Sequence, residues 1–237
     1  MLALKQKEFN EAMRKFHSSK YYQLTYKAVS IINVSLELVL LYILFTLSVP
    51  FIWIIPVVFI SYFITDFING LVHLYMDNND SYNSFYGPFI ASFHLHHNTQ
   101  KYKDKNLFLV YFDESGTKFW LVLYLIMVLI VSFTDINHVI LSGMILVGVL
   151  SSFAEVSHYL CHNSQSKLVR FLQSIGLLLS MKHHEKHHND DNTGYAFLNG
   201  MSDALIDKIA KKFYKGYKDN SDKHYEKYEG EGTTNRY

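Results

Sequence analysis

The chain has 237 residues, 49% of them hydrophobic, with 18 Phe, 18 Tyr, 3 Pro and one cysteine. That length suits one or at most two domains, and Cys161 alone excludes an internal disulfide. A formal net charge of +1 gives no bulk attraction to nucleic acid, so no nucleic-acid partner is expected.

Residues 1–27 read as an amphipathic helix, with Leu2, Phe9, Met13 and Phe16 on one face and Lys5, Glu8, Arg14 and Lys15 between them. Such a leader suits a membrane surface or solvent, and His17 within it reads as a surface residue. No cleavable signal peptide is evident. Residues 28–49 carry one charge, Glu37, for which the sequence suggests no partner. At ~1.5 Å per residue this stretch is long enough to cross a ~30 Å hydrocarbon core. Residues 51–76 follow directly after Pro50, and the two stretches are expected to pair as an antiparallel hairpin. Residues 77–117 are first polar, then aromatic. A third apolar run spans residues 118–133, somewhat short. A fourth spans 138–160, after a turn at Thr134-Asp135-Ile136-Asn137. Residues 167–181 are amphipathic and too short to span, so they suit a helix lying in the interface. From 215 the tail lacks aliphatic residues and is expected to be disordered; His224 within it reads as functionless.

The predicted fold is therefore an all-α polytopic membrane protein with four transmembrane helices. It divides into a leader (1–27), a four-span domain (28–214) and a tail (215–237). Four spans put both termini on one side. Lys and Arg occur in 5–27, 101–118 and 167–236, and are absent from 28–100 and 119–166. All 22 cations then face one compartment, which the positive-inside rule makes the cytoplasm.

The histidines respect this topology. His73 ends the second span and His94, His96 and His97 follow it. His158 and His162 end the fourth span, four apart on one helix face, and His183, His184, His187 and His188 follow the interfacial stretch. Ten of the thirteen histidines thus reach one membrane face; His17, His138 and His224 do not. Neutral imidazole is the commonest protein metal ligand, and eight or more are too many for one ion and suit two. Imidazole-rich sites at a membrane face point to iron and O2, although imidazole also binds zinc, copper and nickel. Asp66, Asn69, His73 and Asp77 form one stripe on the second span, and Glu155, His158 and His162 one on the fourth. Asp66 and Glu155 are candidates to receive the second ring N–H of a metal-bound histidine, and Asp77 could do so or bind metal itself. Three other readings compete. His184-Glu185-Lys186-His187-His188 matches the H-E-x-x-H signature of zinc peptidases, the histidines could belong to a metal carrier, or the cluster could be a His-rich surface tract.

The order of these motifs is more specific than any one of them. Asp66-Phe67-Ile68-Asn69-Gly70-Leu71-Val72-His73, Asp77, Pro88 and Phe93 leading to His96-His97, His158-x-x-x-His162, the cluster from His183 to His188, and Asn199-Gly200 resemble the Kua family of lipid desaturase domains. That family includes plasmanylethanolamine desaturase and, more distantly, a plant desaturase acting on the palmitate of phosphatidylglycerol. The resemblance runs over about residues 50–210. It implies an iron-dependent membrane desaturase with two Fe ions and O2 as co-substrate. Its implied partners are a small b-type cytochrome or other electron donor and a membrane phospholipid. The implied ligands are His73, His96, His97, His158, His162, His184, His187 and His188, with His183 replacing or joining His184. His94 is not matched. A hydroxylase would share these ligands. Leu74 stands where the family usually has Trp, Gln100 where Pro is common and Phe112 where Asn is usual; these departures bear on substrate identity. The membrane is expected to be endoplasmic reticulum in a eukaryote or inner membrane in a bacterium.

Overall fold

The computed structural model of the protein describes residues 2–98 and 105–225. Among these residues the chain is helical, without strands. In chain order the helices are α1 (Leu2–Ser18), α2 (Lys20–Thr46), α3 (Phe51–Asp77), α4 (Gly87–Asn98), α5 (Leu107–Glu114), α6 (Phe119–Val131), α7 (His138–Asn163), α8 (Lys167–Ser174), α9 (Met181–Asn189), α10 (Asp203–Phe213) and α11 (Ser221–Tyr225).

Three helices, α2, α3 and α7, are long and apolar enough to cross a membrane. Lipid-facing character is plainest on the first half of α3, where Phe51, Ile52, Ile55 and Phe59 are all exposed. The expected fourth span takes a different form. The 13 residues of α6 reach only about 20 Å. They meet α5 at a 95° bend across a 3-10 turn, Ser115–Thr117, and only the two together could count as a span. Asn33 braces the bend: its buried side-chain amide donates to the carbonyls of Ser115 (3.0 Å) and Lys118 (3.2 Å), one at each end of the turn.

The hairpin expected of α2 and α3 is not the main packing. After the connection at 47–50, α3 packs along α7, whereas α2 packs against the 3-10 turn and α6. Small and polar residues explain the choice, because without water the close approach of backbones and interhelical hydrogen bonds drive association. Ser61 donates to Gly143 O (3.1 Å), Thr65 to Val147 O (3.4 Å) and Asn69 to Ser151 Oγ (3.1 Å). The sequence offset is 82 at each rung, so α3 and α7 run parallel. Both therefore deliver their C-terminal histidines to one end of the bundle. The opposite end holds the two tight turns, where Ser48 N–H meets His138 Nδ1 at 3.2 Å. Glu37, unassigned from sequence, accepts from Tyr111 and Ser152 hydroxyls at 2.6 Å each, a buried tie between α2, α5 and α7.

Three further expectations change. The leader has its apolar face covered by protein, with Phe9, Ala12 and Met13 buried against Tyr82, Ile90, Ala91 and Leu95. It also ends at Ser19, and residues 20–27 belong to α2. The stretch 167–181 is not one helix. It breaks after Ser174, where Gly176 takes φ +73° and Leu177 N–H bonds back to Leu172 O. Finally, residues 215–225 are folded rather than disordered. Tyr217 is fully buried among Leu74, Tyr195, Ala196 and Ile206, which gives the aliphatic-poor tail an aromatic anchor. The rest of the tail lies outside the described residues.

Candidate metal centre

The parallel run of α3 and α7 sets His73, Asp77, His158 and His162 at one end, and α9 crosses that end. The Ser180 hydroxyl accepts from His183 N–H and starts α9 as an N-cap. Helical spacing then divides its histidines. His184 and His188 face α7 and His187 faces α3, so one short helix serves two groups of ligands.

In the first group, His73, Asp77, His97 and His187 offer atoms that all lie within 4.8 Å of one another, an arrangement that could hold a metal ion. Asp77 is 1% exposed, and its carboxylate stands 3.4 Å from His73 Nε2, 3.2 Å from His97 Nε2 and 3.3 Å from His187 Nε2. Among the described residues, no well-formed hydrogen bond reaches either Asp77 oxygen or His73 Nε2. Buried polar atoms left in this way are costly, and a bound cation would satisfy them together.

In the second group, His158, His162 and His184 lie within the same limit. His184 Nε2 is 2.9 Å from His158 Nε2 and 3.0 Å from His188 Nε2. One ring nitrogen has a single in-plane proton or lone pair, so it cannot form good hydrogen bonds to both neighbours. Two nitrogens bound at ~2.1 Å to one ion would sit roughly 3 Å apart, which accounts for both distances. The groups adjoin: the His97 and His188 rings are 5.1 Å apart and those of His184 and His187 stack at 5.3 Å.

The electrostatics suit metal binding. Burial pushes His187 well below the ordinary imidazole value and His188 down to about 2, so both are neutral, the form that ligates. Burial also acts on His97, but Asp77 and Asp222 outweigh it and lift this ring to about 9. A metal ion in the first group would displace that proton.

The partners of the second ring nitrogens differ from the sequence expectation. His73 Nδ1 meets the Tyr195 carbonyl at 2.8 Å and His187 Nδ1 the Thr193 carbonyl at 3.2 Å. The loop that supplies both carbonyls passes so close that a Cβ on Gly194 would stand 3.2 Å from His187 Cβ, and its φ is +72°. Both features favour glycine there. Asp66 does not reach a histidine. Its Oδ1 accepts from the N–H groups of Leu198, Asn199 and Gly200, and its Oδ2 from Ser202 N–H and hydroxyl. Glu155 instead pairs with Lys118 Nζ at 3.0 Å. Each carboxylate found a nearer donor than an imidazole.

His183 is turned away from both groups. Its Nε2 is 2.5 Å from Asp203 Oδ2 and the ring is partly exposed, so it lies outside both groups, whereas His184 lies within the second. His94, left unmatched above, has its nitrogens toward Met76 O (2.7 Å) and the Tyr82 hydroxyl (2.9 Å). His96 lies on α4, and its side chain falls outside the described residues. Glu185 is exposed, which leaves the H-E-x-x-H reading without its base.

A cavity of about 530 Å³ opens beside His73, between α3, α4 and the bend before α6. Val72, Phe89, Phe93, Phe119 and Phe197 give it apolar walls, and Asn69, Lys118 and Glu155 a polar end. Lys118, buried there, also donates to Asn69 Oδ1 (2.8 Å) and to Ser151 O. Sequence reasoning passed over Lys118, whose place at the head of an apolar run was the available signal.

A family model described as the lipid desaturase domain matches residues 62–217, a span that holds every histidine of both groups. Neither a curated protein nor a solved structure matches the chain. Because the matched residues make up well over half of the sequence, the chain belongs to the lipid desaturase domain family.

Proposed function

We propose that this membrane lipid desaturase holds two iron ions and introduces a double bond into a phospholipid-borne chain, the product being the vinyl ether of a plasmalogen. The observation that carries the reading is the pair of adjoining histidine groups served by α9, with an apolar cavity beside His73 of the first. The first group would take one ion through His73, Asp77, His97 and His187, and the second the other through His158, His162, His184 and His188. His96 is proposed with them from the family motif. When bound, iron supplies the O2 activation that removes hydrogen from an unactivated carbon. The substrate loses two hydrogens from neighbouring carbons. With two electrons and two protons supplied from outside, O2 leaves as two waters.

The remaining work belongs to the chain. The aromatic walls around Phe89, Phe93 and Phe119 exclude water and hold an apolar chain beside His73. The carbonyls of Thr193 and Tyr195 fix the orientation of two rings, so that Nε2 of each would be free to hold an ion. The segregation of all cations to one side of the spans supports a cytoplasmic site. There a small b-type cytochrome or similar carrier supplies electrons. The vinyl-ether assignment rests on the ordered motifs shared with plasmanylethanolamine desaturase.

The test combines metal and lipid analysis. Purified protein should contain about two iron per chain, and cells given the gene should accumulate a vinyl-ether lipid by mass spectrometry. A new double bond in an ester-linked chain would move the substrate to acyl phospholipids, and a hydroxylated lipid would make the protein a hydroxylase. Stoichiometric zinc without iron would overturn the reading.

A further inference from the structure

We propose that residues 217–222 form a strap that completes the first histidine group, with Asp222 as the residue that positions His97 for its metal ion. The inference rests on the two-ion reading above and adds residues 218–222, which lie beyond the family match that ends at residue 217.

The strap touches three members of the group. The Tyr217 hydroxyl donates to the His187 carbonyl and stands 3.3 Å from His187 Nδ1. The Ser221 hydroxyl donates to the Asp77 carbonyl at 2.6 Å. Asp222 Oδ1 faces His97 Nδ1 at 3.5 Å, while His97 Nε2 faces Asp77 at 3.2 Å. The imidazole of His97 is thus held between two carboxylates, one at each nitrogen. Asp222 Oδ1 is buried and, among the described residues, takes no well-formed hydrogen bond, whereas Oδ2 is held by Lys218 Nζ at 2.9 Å. Lys218 itself is fixed to the His188 carbonyl, and Asp191 Oδ1 accepts from the N–H groups of Tyr217 (2.8 Å) and Lys218 (3.0 Å). The strap therefore cannot shift without moving a carboxylate aimed at one ring nitrogen.

A carboxylate at Nδ1 keeps the proton on that nitrogen, turns the Nε2 lone pair toward the ion and makes the ring a stronger donor. His73 and His187 receive carbonyls at the same position. Asp222 gives His97 the anionic version, and it acts through His97 without touching the ion or the lipid.

The test is anaerobic titration of the full-length, metal-free protein in detergent with cobalt(II), whose visible absorption reports coordination, followed by iron analysis. In Asp222→Ala one of the two binding phases should weaken about 10- to 100-fold and the other stay as in the natural sequence. Asp222→Asn keeps an oxygen for the Nδ1 proton and a contact for Lys218, so it should weaken the same phase less, and it serves if the alanine variant does not fold. Two unchanged phases, or equal weakening of both, would overturn the proposal. Failure of the natural sequence to bind two ions would instead overturn the two-ion reading.

Discussion

Asp66 offers the sharpest separation between holding a loop and tuning a metal. Its carboxylate accepts from four backbone N–H groups and one hydroxyl in residues 198–202. In Asp66→Ala the donors of Asn199 and Gly200, which are half-buried, can recruit water, but those of Leu198 and Ser202 are buried and cannot. A stranded buried donor costs about 1–3 kcal/mol, so the two buried N–H groups together should cost about 4 kcal/mol, near the upper end for a single substitution. For a chain of this size that corresponds to a fall of roughly 10 °C in melting temperature. Asp66→Asn retains an oxygen for the three donors at Oδ1 but sets an amide NH2 against Ser202, and should lose about half as much. The assay is thermal unfolding of detergent-purified, metal-free protein, scanned at one fixed rate, with metal analysis of the folded fraction. An Asp66→Ala protein that melts like the natural sequence yet fails to bind metal would refute the reasoning, because the carboxylate would then act on the ligands.

Other substitutions divide the histidines and test the cavity. His187→Ala should abolish desaturation, measured by lipid mass spectrometry, and leave the protein in the membrane with the ion of the second group. His183→Ala should retain both ions, since its ring faces Asp203, whereas His184→Ala should lose the ion of the second group; elemental analysis separates them. Val72→Trp places a large ring in the cavity beside His73, and it should lower turnover about 100-fold by displacing the chain while metal content stays unchanged.

Much of this protein was legible without coordinates. The apolar runs gave the long helices, because a stretch with so little charge over such a length has few soluble uses. The carboxylate and histidine stripe on α3 was visible from offsets alone, and so was the concentration of histidines at one face. The convergence of His73 with His158 and His184 needed only the parity of the spans. Asp77 was left open between two roles, and the structure sets it among three imidazoles.

The remaining features depended on which residues met across space, and spacing along a chain carries no such information. Both Asp66 and Glu155 were expected beside histidines, but a buried carboxylate goes to the strongest donors within reach: backbone N–H groups for one and an ammonium for the other. His183 and His184 are adjacent on α9 and look equivalent in sequence. One residue of helix rotates the side chain by about 100°, which sends one ring to Asp203 and the other to the second group. The tail looked unfoldable by composition, because composition counts what a segment can bury by itself. Tyr217, Ser221 and Asp222 fold against a surface already built by α3, α4 and α9, and only that surface makes their order favourable.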